Sequence, residues 1–536
     1  MSARGTRGSG LLTCLLPLCV ATASFSALAD FQVIQAEDIG DWQRMAQTGS
    51  EEILMIQGLE LAEGHFVNLA IREVDPFAGD ARLHIDTAIR EPLGSQRKYY
   101  RGQILGEPGS RVTMSIGPDG GPRGLLASND GHWVLHTPTA GGVQARFDGS
   151  EKRAGADDLH DDFVCEAERF EEPASLSRES ESTIPSHPLA VTDNNERYRV
   201  RVAFESTWQF RELFDSDQQA IDYLGDIINY TSGIYINDLG AELVISSINL
   251  WSSEQEEPWT RQGDAWGLLH EFTDYWRDLD NDVDRSRTIA HMVDAGDSRN
   301  GRAWIGVVCS GGYDEMFDWD NSSDFAVSAG LETDFHAIDA PSAWSAYVVA
   351  HEIGHNFDTD HTHCYDPPVD TCFNLEGGCY DGETSLPGEP GEGSGTIMSY
   401  CSARLGGLEN IAPSLGRDHP YGHEPDRVPD TMRAHMVERA QEGGRCPQVI
   451  SSLSHRIFSS LSGSGSITPT SAQVDHGDTV EFTVLPDRGQ VIESAQGCGG
   501  ELVGNTFTTA PVTTDCNLSI EFAEDENIVL WDRFES

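Results

Sequence analysis

Basic residues are scarce in this sequence. Its 536 residues include 35 Lys and Arg against 88 Asp and Glu, which gives a formal net charge of -53. A surface this acidic repels the phosphates of nucleic acids and anionic membrane surfaces. Nucleic-acid binding is therefore excluded as an expected function, and we expect a soluble protein.

Long apolar runs are also rare. The run from Leu11 to Val20 is short for a membrane span and contains Pro17. Because arginines precede this run and Ala27-Leu28-Ala29 follows it, residues 1–29 are predicted to be a signal peptide. The alternative is an uncleaved anchor. No later segment is apolar enough to cross a bilayer, so we expect no membrane span. The signal peptide predicts a secreted protein, which we expect to be a monomer.

The length of the chain and its 38% hydrophobic residues predict several folded domains. Short alternating stretches indicate strands, stretches rich in Glu, Ser and Pro indicate a linker, and mixed patterns indicate an α/β domain. We predict these segments in chain order: a signal peptide (1–29), a β-rich domain (30–165), a cleavable linker (166–196), an α/β domain (197–446), a small β module (453–523) and an acidic tail (524–536).

Two histidines four residues apart, His351 and His355, lie in a segment with helical character. Side chains at this spacing share one helix face, so both imidazoles can reach one ion. Glu352 follows the first histidine and is predicted to act as the general base on a water at that ion. Catalytic zinc usually takes three protein ligands. His361 is therefore predicted as the third ligand of a single zinc ion.

The helix must end and reverse between His355 and His361. Asp358 lies at the place for such a turn, because Asp adopts left-handed backbone more readily than most residues. Asp360 and His363 are alternative third ligands, but the spacing favours His361. The predicted substrates are proteins or peptides.

The segment from His351 to His361 resembles the metzincin signature HExxHxxGxxH, with Asp358 in place of the glycine. Its surroundings look most like the adamalysin (reprolysin) family of zinc endopeptidases, over residues 197–446. This resemblance implies an α/β (α+β) catalytic domain with a twisted, mostly parallel sheet and an active-site helix. It also implies that the strand Ala303-Trp304-Ile305-Gly306 binds substrate in extended form.

The segment from Thr396 to Tyr400 looks like the Met-turn of the same clan. By that resemblance, Met398 lies beneath the metal as an apolar floor. In serralysins and astacins a tyrosine at the place of Tyr400 can join the zinc, which implies a metal ligand or an oxyanion stabiliser here. The alternative is a packed aromatic side chain. His363-Cys364 also resembles pappalysin-type enzymes.

Eleven cysteines are present, and Cys498 and Cys516 are predicted to pair because no other cysteine lies in the C-terminal module. Six more lie in residues 197–446, where three disulfides have fifteen connectivities. The family resemblance implies a Cys309–Cys446 pair, with the other four closing the loop between the third ligand and the Met-turn.

Cys165 is the cysteine left over after these pairs and the two of the signal peptide. Thiolate is a good zinc ligand, so Cys165 is predicted to be a cysteine switch that keeps a precursor inactive. The alternatives are an unreactive thiol and a bridge to another domain. The stretch from Tyr99 to Val112 looks like an adamalysin pro-domain, which also implies a precursor.

Two further patterns carry weaker expectations. The turn from Gly497 to Gly500 resembles bacterial modules of the internalin B-repeat type. Asp278, Asp280, Asp282 and Asp284 offer oxygens at alternate positions, which indicates either a calcium loop or a solvated acidic loop.

Together these features predict a secreted, zinc-dependent endopeptidase made as a latent precursor. The alternatives are a non-catalytic extracellular binding or adhesion protein on a metalloprotease scaffold and a zinc hydrolase of another substrate class. Glu352 favours an enzyme over a scaffold, because a scaffold does not need a base beside a metal ligand.

Overall fold

The structure is a computed structural model. It describes residues 32–36, 39–47, 53–62, 64–90, 93–107, 110–118, 120–128, 131–136, 144–147, 164–168, 196–278, 287–296, 299–310, 324–332, 344–452, 454–475, 478–512 and 516–525. The predicted signal peptide and most of the predicted linker and acidic tail lie outside these ranges. So do Asp280, Asp282 and Asp284 of the proposed calcium loop.

The first part of the chain is rich in strands. Its elements are β1 (Gln32–Gln35), α1 (Ile39–Gln47), β2 (Leu54–Ala62), β3 (His65–Val74), β4 (Phe77–Ile85), β5 (Ala88–Arg90), β6 (Lys98–Ile104), β7 (Arg111–Ile116), β8 (Pro122–Ser128), β9 (Gly131–His136), β10 (Gln144–Phe147) and β11 (Val164–Glu168). Eight of these strands form one sheet in the order β1-β2-β3-β6-β7-β8-β9-β10.

The middle of the chain alternates strands and helices. Its elements are β12 (Glu196–Ser206), α2 (Trp208–Glu212), α3 (Asp217–Leu239), β13 (Ala241–Leu250), α4 (Ala265–Asp278), β14 (Ile289–Val293), β15 (Asn300–Trp304), β16 (Phe325–Ser328), α5 (Trp344–Asn356), α6 (Arg427–Ala440) and β17 (Gln448–Ser452). The prediction of an α/β domain with β-rich regions on either side is confirmed.

A nine-stranded sheet forms the centre of this domain, in the order β11-β15-β16-β14-β12-β13-β4-β5 with β17 beside β12. β12 pairs in parallel with β13 and β14, and β14 pairs in parallel with β16. β15 runs antiparallel to β16. Strands β4, β5 and β11 come from before the predicted α/β domain, and β17 comes from after its predicted end at residue 446. The predicted domain boundaries stay predictions.

Helix α3 lies between the two sheets. Ser216 begins it by accepting a hydrogen bond from the Gln219 amide, and Gly240 ends it in the left-handed conformation, with φ of 71°. Tyr99 and Tyr100 show how β6 serves both layers, because successive side chains point to opposite faces of a strand. Tyr99 packs in the core shared with α3, whereas Tyr100 packs in the core of the first sheet.

The C-terminal module consists of β18 (Ser454–Ser462), β19 (Gly465–Thr468), β20 (Ser471–Asp475), β21 (Glu481–Pro486), β22 (Gln490–Gly497), β23 (Glu501–Val503), β24 (Thr506–Thr508) and β25 (Cys516–Glu524). These strands form two four-stranded sheets around one apolar core. Its resemblance to internalin repeats stays a prediction. No helix among the described residues has the length and apolar content to cross a membrane.

Among the described residues, four disulfides join eight cysteines. The predicted pairs Cys309–Cys446 and Cys498–Cys516 are confirmed. Two further bridges, Cys364–Cys379 and Cys372–Cys401, hold the region between His361 and the Met398 turn, as predicted. This loop has little regular structure, so the bridges and buried side chains fix its shape.

Candidate metal centre

Helix α5 presents two of the predicted ligands. All of its residues from Trp344 to Asn356 are buried, because the helix contacts β15, β16 and α3. His351 and His355 are one turn apart on this helix, and neither is exposed. Gly354 between them allows Met398 to approach closely, since a Cβ at Gly354 would lie 2.4 Å from the Met398 sulfur.

The chain reverses directly after α5. The amides of Phe357 and Asp358 donate to the carbonyls of Gly354 and His355, which closes the last turn. Asp358 then adopts a left-handed conformation with φ of 72°, as predicted for this position. The reversal brings His361 back to the face of the helix that carries His351 and His355.

The three histidines, called the histidine centre below, have their Nε2 atoms in one place. The Nε2 atom of His355 lies 3.2 Å from the Nε2 atoms of both His351 and His361. Around a tetrahedral zinc, nitrogens at a Zn–N distance of about 2.0 Å are about 3.3 Å apart. The spacing of the three nitrogens therefore fits one zinc ion, and the three histidines form a group that can hold a metal.

Each histidine of the centre is oriented through its other ring nitrogen. The Nδ1 atom of His351 lies 2.7 Å from the carbonyl oxygen of Ile397, and that of His355 lies 2.8 Å from the carbonyl of Thr359. A hydrogen bond from Nδ1–H leaves Nε2 as the lone-pair donor in a neutral ring. Burial lowers the pKa of His351 to about 3, which favours the same neutral form.

His361 is oriented by a carboxylate instead. Glu376 Oε2 lies 2.8 Å from His361 Nδ1 and 2.8 Å from His363 Nε2. Burial alone would raise the pKa of Glu376, but the hydrogen bonds from His361 and His363 lower it to about 2. Metal-bound histidines usually have such a partner. Glu376 was not predicted, because it lies fifteen residues after His361 with no motif to mark it.

His363 and Asp360, the alternative third ligands, are not in the group formed by the three histidines. His363 stacks on His361 with ring centroids 5.4 Å apart and an interplanar angle of 3°. It therefore contacts the third histidine from behind, together with Glu376.

Glu352 lies against the backbone of Gly301. A Cβ at Gly301 would lie 2.0 Å from Glu352 Oε1, so only glycine leaves room for this carboxylate. Glu352 is fully buried, as is His351, which precedes it in α5. The close approach of Gly301, in β15, to Glu352 was not predicted from the sequence.

Met398 and Tyr400 follow the carbonyl of Ile397 that holds His351. Met398 is fully buried, and its carbonyl accepts the Thr362 amide at 3.0 Å. The Tyr400 ring lies 4.5 Å from the His361 ring and 6.2 Å from the His351 ring, measured between centroids. Tyr400 is thus brought to the histidine centre and is also packed against Phe373, at 4.8 Å.

Cys165 lies in β11 at the edge of the nine-stranded sheet. β11 runs parallel to β15, and Cys165 is paired in register with Gly301. Gly301 is the residue that approaches Glu352, so the backbone of Cys165 is one strand away from the histidine centre. β15 thus has β16 on one side and β11 on the other.

Known proteins are similar to part of this chain. Residues 196–411 match the model Reprolysin_5, described as metallo-peptidase family M12. The chain is 24% identical over 288 residues to disintegrin and metalloproteinase domain-containing proteins 1a and 1b of Mus musculus. These matches cover 52% of this chain, and 32% and 31% of the relatives. The chain therefore spans about a third of the curated relatives it matches.

A solved structure, metalloproteinase-II from Bacteroides fragilis, is similar over 62% of this chain and 88% of that chain, with 13% identity and a TM-score of 0.31. The family match spans the segment that contains α5, the reversal at Asp358, the three histidines and the Met398 turn. The segment that holds the histidine centre, residues 196–411, is therefore reprolysin-like and similar to metallo-peptidase family M12.

Proposed function

We propose that this protein is a secreted, zinc-dependent endopeptidase that is made as a latent precursor. The observation that carries the proposal is the spacing of the histidine centre, where three buried Nε2 atoms lie 3.2 Å apart in two pairs and each Nδ1 atom has an oxygen partner. Without a cation, three lone pairs would face each other in a buried space.

His351, His355 and His361 would hold the zinc. When bound, the ion supplies Lewis-acid chemistry, polarising the scissile carbonyl and making water a stronger acid. Glu352 accepts the proton of the attacking water on its carboxylate and passes it to the nitrogen of the leaving amine. Proton transfer by a positioned carboxylate is worth about 10² to 10⁴-fold in rate. Tyr400 hydrogen-bonds the oxyanion from beside His361.

The substrate would bind as an added strand along β15, with its scissile bond near Gly301. Backbone hydrogen bonds along a strand edge give affinity for an extended peptide regardless of its sequence. In the precursor, β11 is paired with this same edge. A peptide substrate and β11 therefore compete for one set of backbone hydrogen bonds.

Latency would follow from this competition and from Cys165. β11 is parallel to β15, and its register sets Cys165 opposite Gly301. A thiolate from this position would take the coordination place that the catalytic water needs. Cleavage of the linker after β11 would release the strand. Secretion is supported by the predicted signal peptide and by the four disulfides, which form in oxidising compartments.

Metal removal tests the proposed activity. The processed protein should hydrolyse casein, lose this activity on dialysis against a chelator, and recover it with one equivalent of zinc but not with magnesium. His361→Ala should bind less than one zinc per chain and stay inactive. Full activity in the chelated protein, with metal content below a tenth of an equivalent, would refute the proposal.

The switch has its own test. Cys165→Ser precursor should hydrolyse a short fluorogenic peptide faster than the wild-type precursor before any linker cleavage. A Cys165→Ser precursor that stays as latent as the wild type would refute the switch. The zinc peptidase itself would be unaffected by that result.

A further inference from the structure

A second concentration of charged side chains lies in a cavity of about 370 Å³ between the first sheet and the α/β domain, where His455 and Phe458 of β18 also line it. None of the residues that line it belongs to the histidine centre. Three of them are acidic, whereas six are arginines: Arg72, Arg101, Arg111, Arg197, Arg417 and Arg433. This excess of basic residues is the reverse of the whole chain, where acidic residues outnumber basic ones by 88 to 35. We call this space the arginine cavity.

The arginines come from both sides of the cavity. Arg72, Arg101 and Arg111 lie in β3, β6 and β7 of the first sheet. The other three belong to the α/β domain, with Arg197 in β12 and Arg433 in α6. Arginines from the first sheet and from the α/β domain therefore line one cavity, and those without a carboxylate partner repel each other.

Some of this charge is balanced within the protein. Asp238 accepts from Arg111 Nη2 at 2.8 Å, but it also accepts from Ser414 Oγ at 2.8 Å and the Leu415 amide at 2.6 Å. Arg417 donates to Asp426 and Asp430, neither of which lines the cavity. The carboxylates around the cavity thus already serve several donors.

Arg101 has neutral acceptors. Only 8% of this residue is exposed, and its Nε atom donates to the side-chain oxygen of Asn229 at 2.8 Å and to the Asn229 carbonyl at 3.2 Å. Burial is the largest cause that lowers the pKa of Arg101 to about 9; the charge of Glu242 opposes this shift, and the charges of Arg72 and Arg197 contribute to it. Arg72 and Arg197 are therefore close enough to repel Arg101.

We propose that the arginine cavity binds one oxyanion of the sulfate and phosphate class, held between arginines of the first sheet and arginines of the α/β domain. The guanidinium fork matches the oxygens of such anions, and charge-assisted hydrogen bonds are the strong ones. An anion here would reduce the repulsion among these arginines and add attraction to the Arg111–Asp238 pair that already joins the two parts. It would thereby strengthen the docking of the first sheet on the α/β domain, whether or not the protein is a peptidase.

The test uses the full chain as the Glu352→Ala variant, so that self-cleavage cannot interfere. Sodium sulfate and sodium phosphate are titrated separately by calorimetry against sodium chloride at equal ionic strength. We expect saturable binding of about one anion per chain, and the tighter of the two titrations identifies the anion that the cavity prefers. The melting temperature should rise along the same saturation curve.

Two variants, one from each side, examine the bridging. Arg72 and Arg197 are half-buried, so the variants Arg72→Gln and Arg197→Gln should fold. Near-UV circular dichroism in chloride checks that both variants are folded. Each should weaken binding at least tenfold. The matched control is Arg261→Gln, since Arg261 is exposed, pairs with Asp264 and does not line the cavity.

Three results would overturn the proposal. Binding that is absent, or a melting temperature that rises without saturation and equally in all variants, would leave only a general salt effect. Weakening by Arg72→Gln alone would mean that the first sheet binds the anion without the α/β domain. Loss of casein hydrolysis in the processed protein is a separate failure and would not affect this measurement.

Discussion

The histidine centre and the arginine cavity both bury groups that can carry charge, but their partners differ. In the centre, the Nδ1 atom of each histidine has an oxygen partner, and the three Nε2 atoms lie close enough together to bind one metal ion. In the cavity, Arg101 has only the neutral oxygens of Asn229 among its hydrogen bonds. The comparison indicates that a buried ionisable group with neutral partners either offers a place where an ion of opposite sign can bind or loses its charge.

The buried carboxyl group of Glu205 provides the first test of this comparison, and its expected effect is the largest. Glu205 accepts three hydrogen bonds from neutral side chains, those of Asn249, Trp251 and Trp276, at 2.7 to 2.9 Å. Burial raises the pKa of Glu205 to about 8 in spite of these hydrogen bonds. The folded state thus holds the proton to a higher pH than the unfolded state does.

The free energy of unfolding should therefore fall as pH rises from about 4.5 to about 8, by up to about 1.4 kcal/mol per pH unit from this group. Below this window its contribution is fully present. Glu205→Gln cannot titrate, so the urea-unfolding free energy of the wild type minus that of the variant should fall steadily across the window. A constant difference would show that the three neutral donors stabilise the carboxylate and would break the comparison.

A methyl group placed against Glu352, beside the histidine centre, should have the next largest effect. In Gly301→Ala, the new methyl group must displace Glu352, because its ideal position is 2.0 Å from Oε1. A misplacement of about 1 Å in a catalytic group costs about 100-fold in rate. We expect kcat to fall by this order while zinc content stays at one per chain.

The matched control is Gly79→Ala, where a Cβ meets no atom within 4 Å. Gly79→Ala should keep its activity. Wild-type kcat in Gly301→Ala would contradict the placement of Glu352 against β15.

Removing the partner of His361 should weaken the metal site itself. Glu376→Ala leaves His361 Nδ1 without its acceptor, and the loss of such a partner typically costs about 10 to 100-fold in metal affinity. Competition with a fluorescent zinc chelator measures this change. Glu376→Asp should restore part of the affinity, which a purely structural role would not.

Glu383→Ala is the control for that variant, because Glu383 is exposed in the same loop. Equal zinc affinity in Glu376→Ala and Glu383→Ala would show that His361 needs no acceptor. The oxygen partners would then not explain the difference between the histidine centre and the arginine cavity.

The smallest effect concerns the reversal at Asp358. Left-handed backbone costs non-glycine residues roughly 1 to 2 kcal/mol, and Asp less than most. Asp358→Gly should therefore change the unfolding free energy by no more than about 1 kcal/mol, whereas Asp358→Val should lower it by the larger amount. Thermal unfolding of the three proteins compares them, and equal stabilities would contradict the strain argument.

The two regions also differ in how far the sequence predicts them. Helical spacing is local, so it predicted that His351 and His355 share a face, and the left-handed turn at Asp358 followed from the need to bring His361 back. The four cysteines in and beside the loop between His361 and Met398 could form only a few sets of disulfide bonds, and two bridges holding this loop were predicted. Glu376 was missed because the loop that carries it has no periodicity, although the Cys364–Cys379 bridge encloses it.

The arginine cavity could not be predicted from the sequence. Its arginines lie hundreds of residues apart, and alternation predicts a strand but not its neighbour. The stretch Arg82-Leu83-His84-Ile85 is a case in point. Its alternating pattern is typical of a strand and it lies in β4, yet nothing in it indicates that β4 pairs with β13 of the α/β domain.

Hydrolysis by Glu352→Gln tests the central claim most directly. Processed wild type and processed Glu352→Gln, each with one zinc per chain, are compared on casein at neutral pH. We predict that the variant keeps its zinc and loses about 10² to 10⁴-fold in kcat, because the water then has no base. Equal hydrolysis by the two zinc-loaded proteins would contradict the account and would mean that the histidine centre does not perform the cleavage.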